Sequence, residues 1–223
     1  MESQDTQRLE ICRIGRSLFE RGYVHATAGN ISVRLDGDQG GGFLITPTDA
    51  CLGFLKPEQL AWVDANGEQR SGKRASKTLA LHRRIYATAP DARCVLHTHS
   101  THLVALTLQG VWSEADIVPP ITPYYVMKVG HVPLIPYHRP GDPAVAEAVA
   151  QAITAAAQRG TPLRAVMLDR LGPNVWGESP AQAMATLEEL EETAKLWLAC
   201  ELKPQPLTAL QIDELRRHFG ARW

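Results

Sequence analysis

Apolar positions recur along this chain with two different periods. Over residues 5–21, Leu9, Ile11, Ile14, Leu18 and Phe19 form a stripe at helical spacing, and Gly22 supplies a stop. Residues 31–35 instead alternate apolar and polar side chains, the signature of a half-buried strand. Residues 37–42 read as a loose glycine-rich turn, and 43–46 as a second strand that closes a hairpin. Ser76 stands where a capping residue would open a helix reaching about residue 89, ended by Pro90. Residues 94–97 predict a short buried strand that feeds directly into a helix over 100–108. The stretch 126–136 is rich in β-formers, broken by Gly130 and Pro133, and predicts extended chain. Asp142-Pro143 pairs a cap with a proline at the first helical position, predicting a helix to about residue 159. A strand over 163–169 and the longest helix, 180–202, follow, with Leu187, Leu190, Leu196 and Trp197 on the latter's apolar faces. A last helix, 208–219, comes after Pro204 and Pro206.

Strands and helices mix along the whole length, which predicts one α/β domain with helices covering a central sheet. The expected organisation is a main domain over 1–202 and a C-terminal helical appendage over 203–223, set off by the proline-flanked link. A neighbouring subunit is one place for that appendage to pack. A length of 223 residues with 44% hydrophobic content supports one well-filled core. The net charge of −1 and pI of about 6.7 give no field favouring nucleic acid or anionic membranes. No basic stripe interleaves with aromatics, and no apolar run approaches a membrane span of about 20 residues. The polar, charged start through Glu10 is unlike a secretory signal, so the expected location is cytoplasmic. Cys12, Cys51, Cys94 and Cys200 are scattered, which fits reduced, mostly buried thiols rather than a disulfide framework or zinc–thiolate site.

The strongest chemical signal is His97-Thr98-His99 at a strand end. Side chains two apart on extended chain point the same way, so both imidazoles can converge on one borderline cation such as zinc. The bland alternative is two ordinary histidines, and His102 is more simply a packing residue than a third ligand. Thr27-Ala28-Gly29-Asn30 offers small polar side chains and a glycine suited to an anion; Thr46-Pro47-Thr48-Asp49 adds hydroxyls just after a strand. Ser76-Lys77 at a helix start joins a helix dipole to an ammonium. Each of these alone is more often a plain turn.

Taken in order, G-Y-V-H-A-T-A-G-N-I-S-V-R, F-L-I-T-P-T, G-K-R-A-S-K, P-D-A-R-C-V-L-H-T-H, P-Y-Y-V-M-K-V-G and E-E-L-E-E-T-A-K resemble the class II aldolase/adducin family over nearly the whole chain. Ser76-Lys77, Ile121-Thr122-Pro123-Tyr124 and the run 191–195 are most similar to its branch of 3-oxo-tetronate 4-phosphate decarboxylases. The resemblance implies a three-layer α/β/α domain around a mixed, mainly antiparallel sheet. It also implies release of CO2 from a phosphorylated sugar acid, through a metal-stabilised enediolate, to leave dihydroxyacetone phosphate. By the same analogy His97 and His99 hold one divalent metal, Zn2+ being the expected ion, while Thr27, Asn30, Thr48 and Ser76 cradle the phosphate. Tyr124 matches a proton-donating tyrosine that reaches a site shared between subunits of a homotetramer, and Lys77 is placed to meet the substrate carboxylate.

Two departures qualify the analogy. Thr78 stands where the family has its catalytic acid, and threonine is no general base near neutral pH. Leu171 stands where the family has a third histidine ligand, before Gly172. Asp169, His102, His131 and His138 remain as possible substitutes. Decarboxylation needs an electron sink more than a base, so the first loss weighs less than the second. The rival readings are a sugar-phosphate aldolase or epimerase, which Thr78 opposes, and an adducin-like binding or assembly module, which Leu171 and Thr78 both favour and the retained His97 and His99 oppose.

Overall fold

The computed structural model describes residues 3–223. Its centre is an eight-stranded sheet in the order β4-β3-β2-β1-β5-β8-β7-β6. The strands are β1 (Asn30–Arg34), β2 (Phe43–Ile45), β3 (Ala61–Val63), β4 (Gln69–Ser71), β5 (Cys94–His97), β6 (Leu134–Ile135), β7 (Ala165–Leu168) and β8 (Gly172–Gly177). Only the β6–β7 pair is parallel; every other pairing is antiparallel. The sheet is therefore mixed and mainly antiparallel, as the resemblance implied.

Alternation along the strands builds two separate cores, one on each face. Ile31, Val33, Cys94, Leu96, Met167 and Val175 pack with α1 (Gln4–Glu20), α3 (Thr101–Gln109) and α5 (Pro180–Ala199). Val95, Val166, Leu168 and Trp176 face the other way, against α2 (Leu79–Thr88) and α4 (Pro143–Gln158). Helices thus cover both faces of the sheet, giving three layers. Local signals set the helix starts. Asp142 accepts a hydrogen bond from the Ala144 N–H ahead of α4, and Ser179 accepts one from the Gln182 N–H ahead of α5.

Three sequence expectations need correction. Residues 126–136 are not extended throughout: Tyr125–Val129 form one wide, π-type helical turn, and only Leu134–Ile135 make a strand. The Thr122 hydroxyl accepts from the Tyr125 N–H and holds that turn at its start, and Gly130 at φ +82° ends it, overriding the β-forming bias. The helix expected to open at Ser76 opens at Leu79 instead, because the Ser76 N–H donates to the Thr46 carbonyl and keeps the chain extended there. Of the cysteines, only Cys94 is buried; the other three are half-buried, and all are free.

The last helix, α6 (Ala209–Phe219), packs on its own chain through Leu215 against Val126 of the helical turn. Trp223 beyond it lies over His131, with ring centres 4.3 Å apart. No helix among the described residues is long and apolar enough to cross a membrane.

Candidate active site

β5 lies between β1 and β8, and its last residue, His97, is in register with Asn30 on one side and Asn174 on the other. All three belong to the face covered by α2 and α4, where a cavity of about 460 Å³ opens at the strand ends. That size suits a small metabolite. Its walls include Thr27, Asn30, Thr48, Ser76, Lys77, Thr78, His97 and His99, so eight of the nine residues expected from the sequence converge. Tyr124 does not line it. Its side chain is 61% exposed, at the start of the helical turn.

Backbone geometry explains the convergence. Gly29, at φ +83°, sits so close to β5 that a Cβ there would lie 2.8 Å from the His97 carbonyl oxygen. Only glycine lets the Thr27–Asn30 loop approach in this way. A bridge between Pro47 and Ala75 draws Thr48 alongside Ser76, and the Ser76 and Thr78 hydroxyls are 2.9 Å apart.

The two imidazoles are not splayed. Their ring centres are 5.0 Å apart at 68°. His97 Nδ1 donates to the Pro173 carbonyl at 2.9 Å, which leaves Nε2 with its lone pair free. Burial, reinforced by the neighbouring His99, lowers the His97 pKa to about 4, against the opposing pull of the Pro173 bond. Burial and then His25 lower that of His99. Both rings are neutral near pH 7, the form that binds metal.

The wall also holds buried polar atoms without a hydrogen-bond partner among the described residues: Asn30 Oδ1 and both amide atoms of Asn174. An imidazole pair beside orphaned oxygen donors fits a divalent cation. No group of three His, Cys, Asp or Glu side chains is placed to hold one among the described residues. Leu171, where the sequence resemblance implied a histidine, lines the cavity. Two of the suggested substitutes are engaged elsewhere. His102 bonds Glu191 at 2.8 Å, and the same carboxylate accepts from the backbone at the start of α3. His131 pairs with Asp116 at 2.8 Å. Asp169 and His138 do line the cavity.

Sequence reading passed over several neighbours. His25 lies 6.4 Å from His99, ring centre to ring centre. Arg139 lines the rim. His82 is fully buried behind the site, its Nδ1 2.7 Å from the Ser32 hydroxyl, which in turn meets the Tyr86 hydroxyl at 2.8 Å. His82 carried a readable signal, facing inward one turn into α2; the others had none.

A covered, mainly antiparallel sheet with paired imidazoles and a hydroxyl-rich loop at its central strand ends defines a small-molecule enzyme scaffold rather than a polymer-binding surface. The chain belongs to the class II aldolase and adducin family, whose N-terminal domain matches residues 9–198. Among its relatives, a 3-oxo-tetronate 4-phosphate decarboxylase from Cupriavidus necator is 56% identical over 228 residues, covering all of both chains. A putative aldolase/epimerase/decarboxylase from Escherichia coli superposes with a TM-score of 0.84 at 41% identity, over 96% of this chain and 99% of that one. An L-fuculose-1-phosphate aldolase from Thermus thermophilus gives 0.68 at 28% identity, over 86% and 93%.

Proposed function

We propose that this chain is a carboxy-lyase that converts a 3-oxo-tetronate 4-phosphate to dihydroxyacetone phosphate and CO2. It works in the cytoplasm as a homotetramer with one divalent cation, Zn2+, per site. The observation that carries the reading is the convergence, in one cavity, of His97 and His99 with the Thr27, Asn30, Thr48 and Ser76 side chains, with a threonine rather than an acid at position 78. Full-length identity of 56% to a decarboxylase supports the choice of substrate.

Each residue then has a part. Thr27, Asn30, Thr48 and Ser76 donate to the phosphate, fixing one end of the substrate. Lys77 meets the carboxylate at the other end and orients the bond to be broken. His97 and His99 hold the cation, whose chemistry when bound is Lewis-acid stabilisation of the charge that builds on the ketone oxygen. Carbon–carbon cleavage sends CO2 away and leaves its electron pair on the adjacent carbon, conjugated with the ketone. Protonation of that carbon, by Tyr124 of a neighbouring subunit, completes the product. No proton is abstracted, so Thr78 is no handicap.

The test supplies the phosphorylated 3-oxo acid and follows CO2 and dihydroxyacetone phosphate together. Stoichiometric appearance of both is expected. His97→Ala should lower kcat by at least about 10²–10³-fold and release the metal. An aldehyde product without CO2 would move the chain to the aldolases; wild-type protein with neither metal nor turnover would favour the adducin-like binding module that Leu171 makes possible.

A further inference from the structure

Asn174 is wholly buried, yet neither its Oδ1 nor its Nδ2 has a hydrogen-bond partner among the described residues. It stands on β8 directly across from His97 and lines the same cavity. Its neighbours Val175 and Trp176 pack into the two cores, so an apolar residue at 174 would suit the strand better. A carboxamide buried with both ends unpaired is destabilising until something binds it, and such groups persist where function requires them.

Position 171 supplies the complementary observation. Leu171, where the sequence resemblance implied an imidazole, lines the wall three residues upstream, across the turn into β8. A catalytic zinc takes three protein ligands, and His97 with His99 provide two. His102 and His131 are tied to Glu191 and Asp116. Asp169 leans toward the Arg170 guanidinium at 3.8 Å. Amide carbonyl oxygens are competent donors to divalent ions.

We infer that Asn174 replaces the missing histidine, its Oδ1 being the third protein donor to the divalent cation held by His97 and His99. The inference rests on the cation reading above.

Calorimetric titration of chelator-stripped protein with Zn2+ alone tests it without recourse to turnover. Asn174→Val should bind Zn2+ at least about ten-fold more weakly than wild type while remaining folded by circular dichroism. Asn174→Asp, which keeps an oxygen donor and adds charge, should bind at least as tightly as wild type. If Asn174→Val fails to fold, Asn174→Asp decides alone, and a loss of affinity of about ten-fold there overturns the inference. Wild-type affinity in Asn174→Val together with lost binding in His97→Ala overturns it too, leaving the two-imidazole site intact. That same affinity with a raised KM assigns the amide to substrate rather than to the ion, and likewise overturns the inference. No uptake of Zn2+ by the wild type sinks the cation reading itself.

Discussion

His82 shows how much acid sensitivity one side chain can confer. Burial lowers its pKa from 6.5 to about 3, with His97 adding a smaller push in the same direction. The unfolded chain therefore binds a proton that the folded chain refuses between those two values. Unfolding free energy rises with pH across that window and levels off above about 6.5. We expect chelated wild-type protein to lose on the order of a few kcal/mol of stability between pH 7 and pH 4 in urea titrations. His82→Gln should show a flatter profile; an equally steep one would mean that other groups carry the effect. At this scale the sequence was partly legible. His97 and His99 stood out because side chains two apart at a strand end can face the same way, and their ring centres are 5.0 Å apart. Asn174 was hidden because Gly172, Pro173 and Gly177 around it argue against a strand, although the segment is buried between β5 and β7.

β8 is also where a single atom can damage a whole element. Gly172 begins it at φ +138°, and a Cβ there would lie 1.9 Å from the Thr98 carbonyl oxygen, between the two histidines. Gly172→Ala should cost on the order of 3 kcal/mol by denaturant unfolding and weaken Zn2+ binding, since relief of the clash must push β5 and β8 apart. Unchanged stability would show that the turn can yield without moving the histidines. The elements that sequence reading missed share a cause. β3 is apolar but only three residues long, too short for alternation to register, and β4, its partner at the sheet edge, is polar and exposed throughout, so neither carries an alternating pattern. The long amphipathic helices were readable because their stripes and caps repeat the same message over several turns, as α4 and α5 do.

For the whole molecule, the decisive residue is Tyr124, outside its own chain's cavity. If active sites are shared between subunits, two inactive variants can repair each other. Co-refolded His97→Ala and Tyr124→Phe should regain decarboxylation that neither shows alone, in a species that light scattering identifies as a tetramer. A mixture as inactive as its parents would remove Tyr124 from a shared site. Within the segment 203–223, α6 packs on the helical turn that begins just after Tyr124, so the tail borders the tyrosine's support.

The position of β5 between β1 and β8 has a consequence for biosynthesis. A ribosome delivers β1 and both imidazoles well before it delivers β8, and β8 supplies the flank of β5 together with the Pro173 carbonyl that orients His97. At ordinary rates of translation the histidines wait several seconds with one side of their strand bare. On the cation reading proposed above, loading would belong to the finished chain, and a transcript cut short before the codon for Gly172 yields a polypeptide that carries the H-x-H pair but lacks the frame that aims it.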